Sequence, residues 1–551
     1  MDEYKITEFL GIQQHKDGSL LPTGSAADCR NMVTFDGNLA VAKGYVKHIS
    51  VAVPGTDRIL RHIIVRGNTR TDYVVTASNI YYFTGTAWTS VHTFSPALTT
   101  TQVDYLQTLI GSTDHLIIGT GAGQMVKINT STHVATTFGT GALSFDGTVS
   151  SYNAGTLTIT LSATLSAEAQ RHAPLDGITV NGTWLAVASA TSTKVVLTEA
   201  PAVAPASPNT ATIRGGGSNA SCNFIDMYKG RLFAAGDPSN TSRLYWSAVP
   251  GDGRTIEDWL VVTGSADASG GYVEIGDSAG DAITGIIALA SEILIFKRYS
   301  FYRLYGESPS NFTVERVESF AEYMSNASAV VKYNKPFFIT KSGLKFYDGT
   351  GVVPIDSGIR FINTFIASLN SVSQSKGVHA DNVLYFSCKV SSASTYDDAL
   401  IVYDIARQAY TIRDGFQIAD ITQFDGTIYI INDARYVYEF NSGTDYDGTA
   451  INAYWETQHT DAQAKAFLKQ VNDILFRGGS GNMFVEVHFG ANNIKQEQNM
   501  LESERYNVTR LTVETDQASM FWLKLMNVRG SYFEIKGGLS IFFQANAGKL
   551  L

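Results

Sequence analysis

Apolar and polar positions alternate along this chain in short runs, and each run ends in a turn signal. That pattern predicts β-strands joined by tight turns. The clearest example lies between Asn223 and Gly306. In its first half a strand leads to a turn at Lys229-Gly230, a second strand covers Arg231 to Ala235, and an aromatic strand holds Leu244-Tyr245-Trp246. In its second half the turn is Ser291-Glu292, the second strand covers Ile293 to Lys297 and the aromatic strand covers Phe301 to Tyr305. A Gly/Ser/Ala-rich link joins the halves. Units this small cannot bury their own apolar faces, so they must stack on one another.

The same plan recurs on both sides. Residues 56–95 hold one unit around Tyr81-Tyr82-Phe83 and the Thr84-Gly85 turn, and residues 103–138 hold another. Further units cover Val330 to Ile355, Lys376 to Asp414 and Ile418 to Phe440. An aromatic-Asp-Gly-Thr tetrad recurs at Phe145 to Thr148, Tyr347 to Thr350, Phe424 to Thr427 and Tyr446 to Thr449. Asp-Gly supplies the positive φ of a two-residue hairpin turn, and the aromatic and Thr suit the strand ends. A spacing of roughly 35–50 residues fits a β-propeller. The count is about seven blades, with six as the alternative.

Two stretches break the pattern. Residues 139–217 are nearly uncharged and rich in Thr, Ser, Ala and Val. They predict strands at Thr156 to Leu161, Ile178 to Val180, Trp184 to Val187 and Lys194 to Leu197, with a short helix at Ser166 to His172. This reads as an inserted small β domain between flexible joints, the second at Pro201 to Pro208 and Gly215 to Gly217. From Thr449 the strands lengthen: Ile451 to Thr457, Asp473 to Phe476, Met483 to Gly490, Arg510 to Glu514, Phe521 to Val528 and Tyr532 to Phe543. That texture predicts a C-terminal β-sandwich. Helical pieces are expected at Ser25 to Met32, Ile359 to Leu369 and Asp461 to Lys469, and a hairpin at Phe35 to Leu39. The predicted organisation is an N-terminal segment with the first blades (1–138), the insertion (139–217), the remaining blades (218–448) and the sandwich (449–551).

Composition agrees with an all-β protein. The chain has 551 residues, 49 Gly, 12 Pro, 44% hydrophobic and 17% charged residues, which argues against disorder. A net charge of −10 gives no general attraction for nucleic-acid phosphates. The three cysteines, Cys29, Cys222 and Cys388, lie far apart and form neither a disulfide framework nor a metal pair. The opening MDEYKITEF does not resemble a secretory signal. The longest apolar stretch, Ile283 to Phe296, is broken by Ser291 and Glu292 and falls short of the about 20 residues of a membrane helix. Synthesis in a cytoplasm is expected.

Few residues suggest chemistry. The ten histidines are scattered and form no HExxH, so no zinc site is expected. Gly119 to Gly123 has a phosphate loop's glycines but not its Lys-Ser/Thr, which makes a β-turn the better reading. Asp445, Asp447 and Gly448 fail the calcium-loop spacing and also read as a turn. A propeller glycosidase would need paired carboxylates. The nearest candidates are Asp226, Glu257, Asp258, Glu274, Asp277 and Asp281, each of which reads equally well as a solvated loop residue. The aromatics at Tyr245-Trp246 and Tyr299 to Tyr305 could stack on sugars, although strand spacing favours packing between blades. No catalytic, cofactor or metal residue is expected.

The order of features resembles the tail hub or nozzle proteins of short-tailed bacteriophages, including the packaged-DNA stabilisation type. Phe9-Leu10-Gly11 comes first, then Ala26-Ala27-Asp28-Cys29-Arg30-Asn31 before a strand pair. Gly230-Arg231-Leu232-Phe233, Arg243-Leu244-Tyr245-Trp246-Ser247 and Trp259 follow. Gly276-Asp277, Ile283-Thr284-Gly285, Leu294-Ile295-Phe296-Lys297 and Phe301 to Gly306 complete the series, and the sandwich closes it. The resemblance spans most of the chain except residues 139–217, and it rests on strand-and-turn patterns without a catalytic signature.

The resemblance implies a structural virion protein in the tail, forming a hexameric ring at its distal end. Such a ring retains the packaged genome and gives it a passage at ejection. Its implied partners are other copies of the chain, neighbouring tail proteins (adaptor or tube, fibres or needle) and double-stranded DNA passing without sequence-specific binding. Two other readings compete. A glycan-binding propeller that recognises a receptor predicts shallow aromatic pockets. A propeller hydrolase predicts clustered carboxylates.

Overall fold

The computed structural model describes the chain except for residues 1, 14–20, 35–36, 68–69, 124, 140–142, 167–168, 171–172, 175–176, 215–220, 252–253, 260–266, 268, 277–279, 319–323, 356–362, 463–466, 490–491, 501–507, 514 and 547–551. The fold is all-β: a β-propeller with an inserted β domain and a C-terminal β-sandwich. Seven sets of four antiparallel strands are its blades among the described residues; six are sheets of their own, and the remaining one continues through Ala26–Arg30 into a twelve-stranded sheet shared with the sandwich. The chain divides into two compact units, residues 56–326 and residues 1–55 with 327–551.

Four blades belong to the unit of residues 56–326. The first comprises Ile59–Arg66, Arg70–Thr76, Asn79–Phe83 and Trp88–Thr93. The second comprises Asp104–Ile110, Thr113–Gly119, Val126–Asn129 and Ala135–Thr137. The third comprises Phe224–Tyr228, Arg231–Ala235, Arg243–Trp246 and Gly271–Glu274. The fourth comprises Ile283–Ala288, Glu292–Lys297, Phe301–Tyr305 and Thr313–Glu318. Each repeated unit thus has a fourth strand beyond the three that the sequence pattern suggests. The second strand of the third blade, Arg231–Ala235, is buried at every residue because the second and fourth blades cover its two faces. Phe233, Leu244, Ile286, Ile295 and Leu304 share one core between the third and fourth blades. Trp246 joins that core against Phe233 and Phe312, so this aromatic is packing, whereas Tyr299 and Tyr305 remain exposed.

The insertion is one seven-stranded sheet over residues 143–214, with its own core of Phe145, Ile159, Val195 and Ile213 among others. Its long strand Leu143–Asn153 and its last strand Thr210–Arg214 pair with each other. Phe145-Asp146-Gly147-Thr148 lies inside that pairing and is not a hairpin turn. Gly147 serves there because the Phe145 ring covers it: an added Cβ would meet Phe145 Cζ at 2.5 Å. The run expected at Trp184 to Val187 is two strands, Thr183–Leu185 and Val187–Ala190, with different partners. Of the Ser166-to-His172 helix, residues 167–168 and 171–172 lie outside the described residues. Ser166 Oγ accepts the Ala169 N–H at 3.0 Å, as a helix N-cap does.

The second unit holds three blades and the sandwich. The fifth blade is Val330–Lys332, Lys335–Thr340, Gly343–Tyr347 and Val352–Pro354. The sixth is Gly377–Ala380, Val383–Cys388, Asp397–Asp404 and Ala409–Ile418. The seventh takes three strands from Asp420–Phe424, Thr427–Ile431 and Val437–Phe440, and its fourth, Tyr45–Ile49, from the N-terminal segment. Two tetrads do form hairpin turns: Asp425 and Gly426 have φ of 49° and 80°, and Asp447 and Gly448 have 50° and 88°. At the tetrad of Tyr347 to Thr350 the Asp348 carboxylate accepts the N–H groups of Thr350 and Gly351.

In the sandwich one sheet runs Asp2–Ile6, Leu539–Asn546, Leu468–Arg477, Val508–Thr512. The other contains Gly479–Phe489, Phe521–Asn527, Tyr454–Thr457 and Ala26–Arg30. Burial alternates strictly along Phe521–Asn527, which aims one side of that strand at the facing sheet. Phe521 and Phe543, from the two sheets, have ring centroids 6.4 Å apart. Gly537-Gly538 divides the expected strand Tyr532 to Phe543 into Phe533–Ile535 and Leu539–Asn546.

Two helix expectations change and one holds. Ser25 to Met32 is not helical: Ala26–Arg30 and Met32–Val33 are strands. Pairing with Tyr454–Thr457 buries Ala26 and Cys29, and that tertiary gain overrides a weak local preference. Lys469 lies in the strand Leu468–Arg477, while 463–466 lie outside the described residues. A helix does form at Asn363–Ser368; residues 359–362 of that expectation are outside. Phe35 and Asp36 of the expected hairpin are also outside.

Candidate functional site

Two of the segments that carried the sequence resemblance, Phe9 to Gly11 and Asp28 to Asn31, meet at a polar joint in the unit of residues 1–55 and 327–551. Phe9 packs edge-on against Trp455, centroids 5.0 Å apart. The Trp455 Nε1–H donates to the Leu10 carbonyl at 3.0 Å. Gly11 lies against the Tyr410 backbone, where an added Cβ would meet the Tyr410 oxygen at 2.2 Å. The N-terminal segment is thereby fixed to the sixth blade and the sandwich together.

Asp28, Arg30 and Asn31 extend this joint. Asp28 accepts from Arg30 Nε at 3.0 Å and from the Tyr454 hydroxyl at 2.7 Å. Arg30 donates to Asp414 at 2.9 Å, and its guanidinium lies over the Phe365 ring at 5.1 Å. Burial opposes the Arg30 charge, but Asp28 and Asp414 hold its pKa above the usual value. Burial, reinforced by Asp28, pushes the Tyr454 phenol up. Asn31 has φ of 54°, which turns its side chain onto Asp414, the Asn452 carbonyl and the Tyr446 hydroxyl. The sequence gives each of these residue types but not their convergence, because their partners lie hundreds of positions away.

A second polar cluster lies in the unit of residues 56–326. Asp104, on the first strand of the second blade, accepts the Ile225 N–H at 3.1 Å and the Asn326 side-chain amide at 2.9 Å. Asp226, on the first strand of the third blade, accepts the Ala288 N–H at 2.7 Å. Asn326 in turn accepts the Ile286 N–H at 3.0 Å. Asp104 and Asp226 thus each join the first strand of the next blade, and Asn326 ties the first strand of the fourth blade to Asp104. Burial raises the Asp104 carboxyl to about 7, with Asp226 adding to the rise and the Ile225 N–H and Arg61 opposing it. Burial also raises Asp226. The sequence singled out Asp226 but missed Asp104, whose only local signal is its place at a strand start.

The other candidate carboxylates do not converge. Glu257 pairs with Lys127 at 2.7 Å. Asp258 accepts the Thr255 N–H at 2.5 Å. Glu274 pairs with Arg243 at 2.7 Å. Asp281 accepts the Tyr299 N–H at 2.8 Å and the Ser300 hydroxyl at 2.5 Å. Asp277 lies outside the described residues. Gly119 closes a strand against the Asn223 backbone. Asp447 binds Lys47 at 2.9 Å and the Tyr438 hydroxyl at 2.9 Å, and Asp445 caps the Gly448 N–H. Among the described residues no group of three or more His, Cys, Asp or Glu is placed to hold a metal ion, and no helix is long and apolar enough to cross a membrane.

Two surface features remain. A cavity of about 550 Å³ beside the seventh blade is lined by Tyr436, Tyr438, Asn432, Asp433 and Gln417 among others. On the sandwich, Trp522 is stacked between His459 and His488, at 4.2 Å and 4.5 Å.

No family model matches the chain, and no curated protein matches it. Solved structures similar to it include the CNH domain of AfRom2, at 10% identity over 72% of this chain and 97% of that one, with a TM-score of 0.38. BamB from Moraxella catarrhalis is similar at 8% identity over 80% and 98%, with a TM-score of 0.35. An exo-β-1,3-galactanase from Phanerochaete chrysosporium, in complex with galactose, is similar at 8% identity over 58% and 95%, with a TM-score of 0.23.

Proposed function

We propose that this chain is a structural virion protein of a short bacteriophage tail. Copies of it form a ring, six-fold by the resemblance, at the distal end. The ring keeps the packaged DNA in and lets it out. One observation carries the reading: two of the segments that resemble tail hub and nozzle proteins, Phe9 to Gly11 and Asp28 to Asn31, form the joint between the sixth blade and the sandwich. These two segments have a physical task in the fold, while the rest of the resemblance is a matter of strand-and-turn patterns. A net charge of −10 suits a wall that DNA passes, since every phosphate contact would add affinity and drag.

Electron microscopy and native mass measurement, on the purified protein and on its parent particle, test this. The expected result is a closed ring at one tail end with an axial hole. Monomers in solution together with a peripheral position in the particle would overturn it. The seventh-blade cavity favours a second reading, recognition of a host glycan, because the half-buried Tyr436 ring lies there beside the Asn432 amide and the Asp433 carboxylate. Binding on a sugar array that is lost in Tyr436→Ala would support that reading.

A further inference from the structure

We propose that copies of this chain join through the two open edges of one sandwich sheet, with Asp2–Ile6 of one copy pairing with Val508–Thr512 of the next. This inference rests on the ring reading above and names its contact surface.

The sheet runs Asp2–Ile6, Leu539–Asn546, Leu468–Arg477, Val508–Thr512, and every neighbouring pair is antiparallel. Among the described residues its two end strands pair on one side only. Each therefore presents a row of N–H and C=O groups that a further strand can use. Neither strand contains Pro or a bulge against its neighbour, two of the devices that blunt an edge; the charged side chains Glu3, Lys5 and Arg510 that mark these edges must then find partners across the contact. Both strands are five residues long.

The even strand number decides the geometry. In a four-stranded antiparallel sheet the two end strands run in opposite directions. Placing the last strand of one copy beside the first strand of another then continues the antiparallel alternation without a break. Such a contact uses two different surfaces, so it repeats from copy to copy, as a ring requires.

Side chains match as well. On Asp2–Ile6 the core face carries Tyr4 and Ile6, and the outer face carries Glu3 and Lys5. On Val508–Thr512 the core face carries Thr509 and Leu511, and the outer face carries Val508 and Arg510. Faces match only in alternate registers. One of these sets Glu3 opposite Arg510, Tyr4 opposite Thr509 and Lys5 opposite Val508. Opposite charges face one another there, and the stem of Lys5 covers Val508, which is 57% exposed.

Lys5→Cys and Val508→Cys test the contact. Both positions are exposed, and the native Cys29, Cys222 and Cys388 are buried, so only the new thiols should react. Each full-length variant is oxidised alone and as an equal mixture, with native mass measured on the same samples. The expected result is a disulfide-linked dimer in the mixture that is absent from either variant alone, and a ladder of higher species from the double variant. A sample that forms rings but gives no mixed dimer overturns this contact and leaves the ring reading standing. Dimers from Lys5→Cys alone mean a two-fold pairing of like edges and overturn it too. Monomers without crosslinks at every concentration overturn both.

Discussion

Asn31 holds Asp414 by both ends of its side-chain amide. Its Nδ2 donates to Asp414 Oδ1 at 2.9 Å, and its Oδ1 accepts the Asp414 backbone N–H at 3.0 Å. The same Oδ1 accepts the Tyr446 hydroxyl at 3.0 Å, and the side chain is buried. Asn31→Ala would leave the Asp414 N–H and the Tyr446 hydroxyl without that acceptor. A loss of about 3 kcal/mol is expected, since each orphaned buried group costs ~1–3 kcal/mol. Asn31→Gly should cost less, because it relieves the positive φ that Ala retains. Urea unfolding followed by tryptophan fluorescence checks both; equal midpoints for Ala and wild type would refute the assignment.

Two glycines of the resemblance make opposite predictions. Gly11 lies on the Tyr410 backbone, and Ile12 N–H donates to the Tyr410 carbonyl at 2.6 Å. A methyl group at Gly11 must push the N-terminal segment off the sixth blade, so Gly11→Ala should cost about 3 kcal/mol. Gly230 has φ of 75° in a turn with open space around it, so Gly230→Ala should cost only about 1 kcal/mol. Thermal midpoints of the two variants, measured side by side, should differ in that order.

The contrast between these glycines shows what local pattern can convey. Lys229-Gly230, Asp425-Gly426 and Asp447-Gly448 were legible because a tight turn is decided by the φ preferences of its own residues. The buried second strands were legible from their apolar runs. The fourth strands Gly271–Glu274 and Thr313–Glu318 were not, since an outermost strand is half polar and reads like a linker. Nor was the closing of the seventh blade by Tyr45–Ile49, a pairing set by tertiary contact across most of the chain. Phe145-Asp146-Gly147-Thr148 misled for the converse reason: its letters suit a turn, but its pairing with Thr210–Arg214 satisfies the same backbone groups in a sheet.

Trp522 should anchor the outer face of the sandwich. Its ring lies between two imidazoles with interplanar angles of 11° and 8°. His488 also approaches Glu486 at 3.5 Å. Trp522→Ala removes both stacks and the apolar area they cover, for a loss of about 2 kcal/mol. Trp522→Phe keeps a ring in place and should recover about half of it. Near-ultraviolet circular dichroism with urea unfolding checks the order wild type, Phe, Ala; a Phe variant no better than Ala would remove stacking as the cause.

Asp104 makes stability depend on pH in an unusual sense. Burial raises its carboxyl from the ordinary 3.8 to about 7 in the folded chain. Between those values the folded state holds a proton that the unfolded state has released. Stability from this group is therefore fully present below pH 3.8 and is lost as pH rises through about 7. Protonation need not break the joint, because the neutral acid still offers an oxygen to the Ile225 N–H. Asp104→Asn fixes a neutral side chain of the same shape. The expected outcome is a flatter dependence of the unfolding midpoint on pH across that window, with the variant gaining on wild type most at the alkaline end. Asp226, whose carboxyl burial also raises, acts in the same direction, so Asp226→Asn should flatten the profile further in the double variant. If wild type and Asp104→Asn trace parallel profiles, Asp104 does not couple proton binding to folding, and its role is confined to the backbone bond with the third blade.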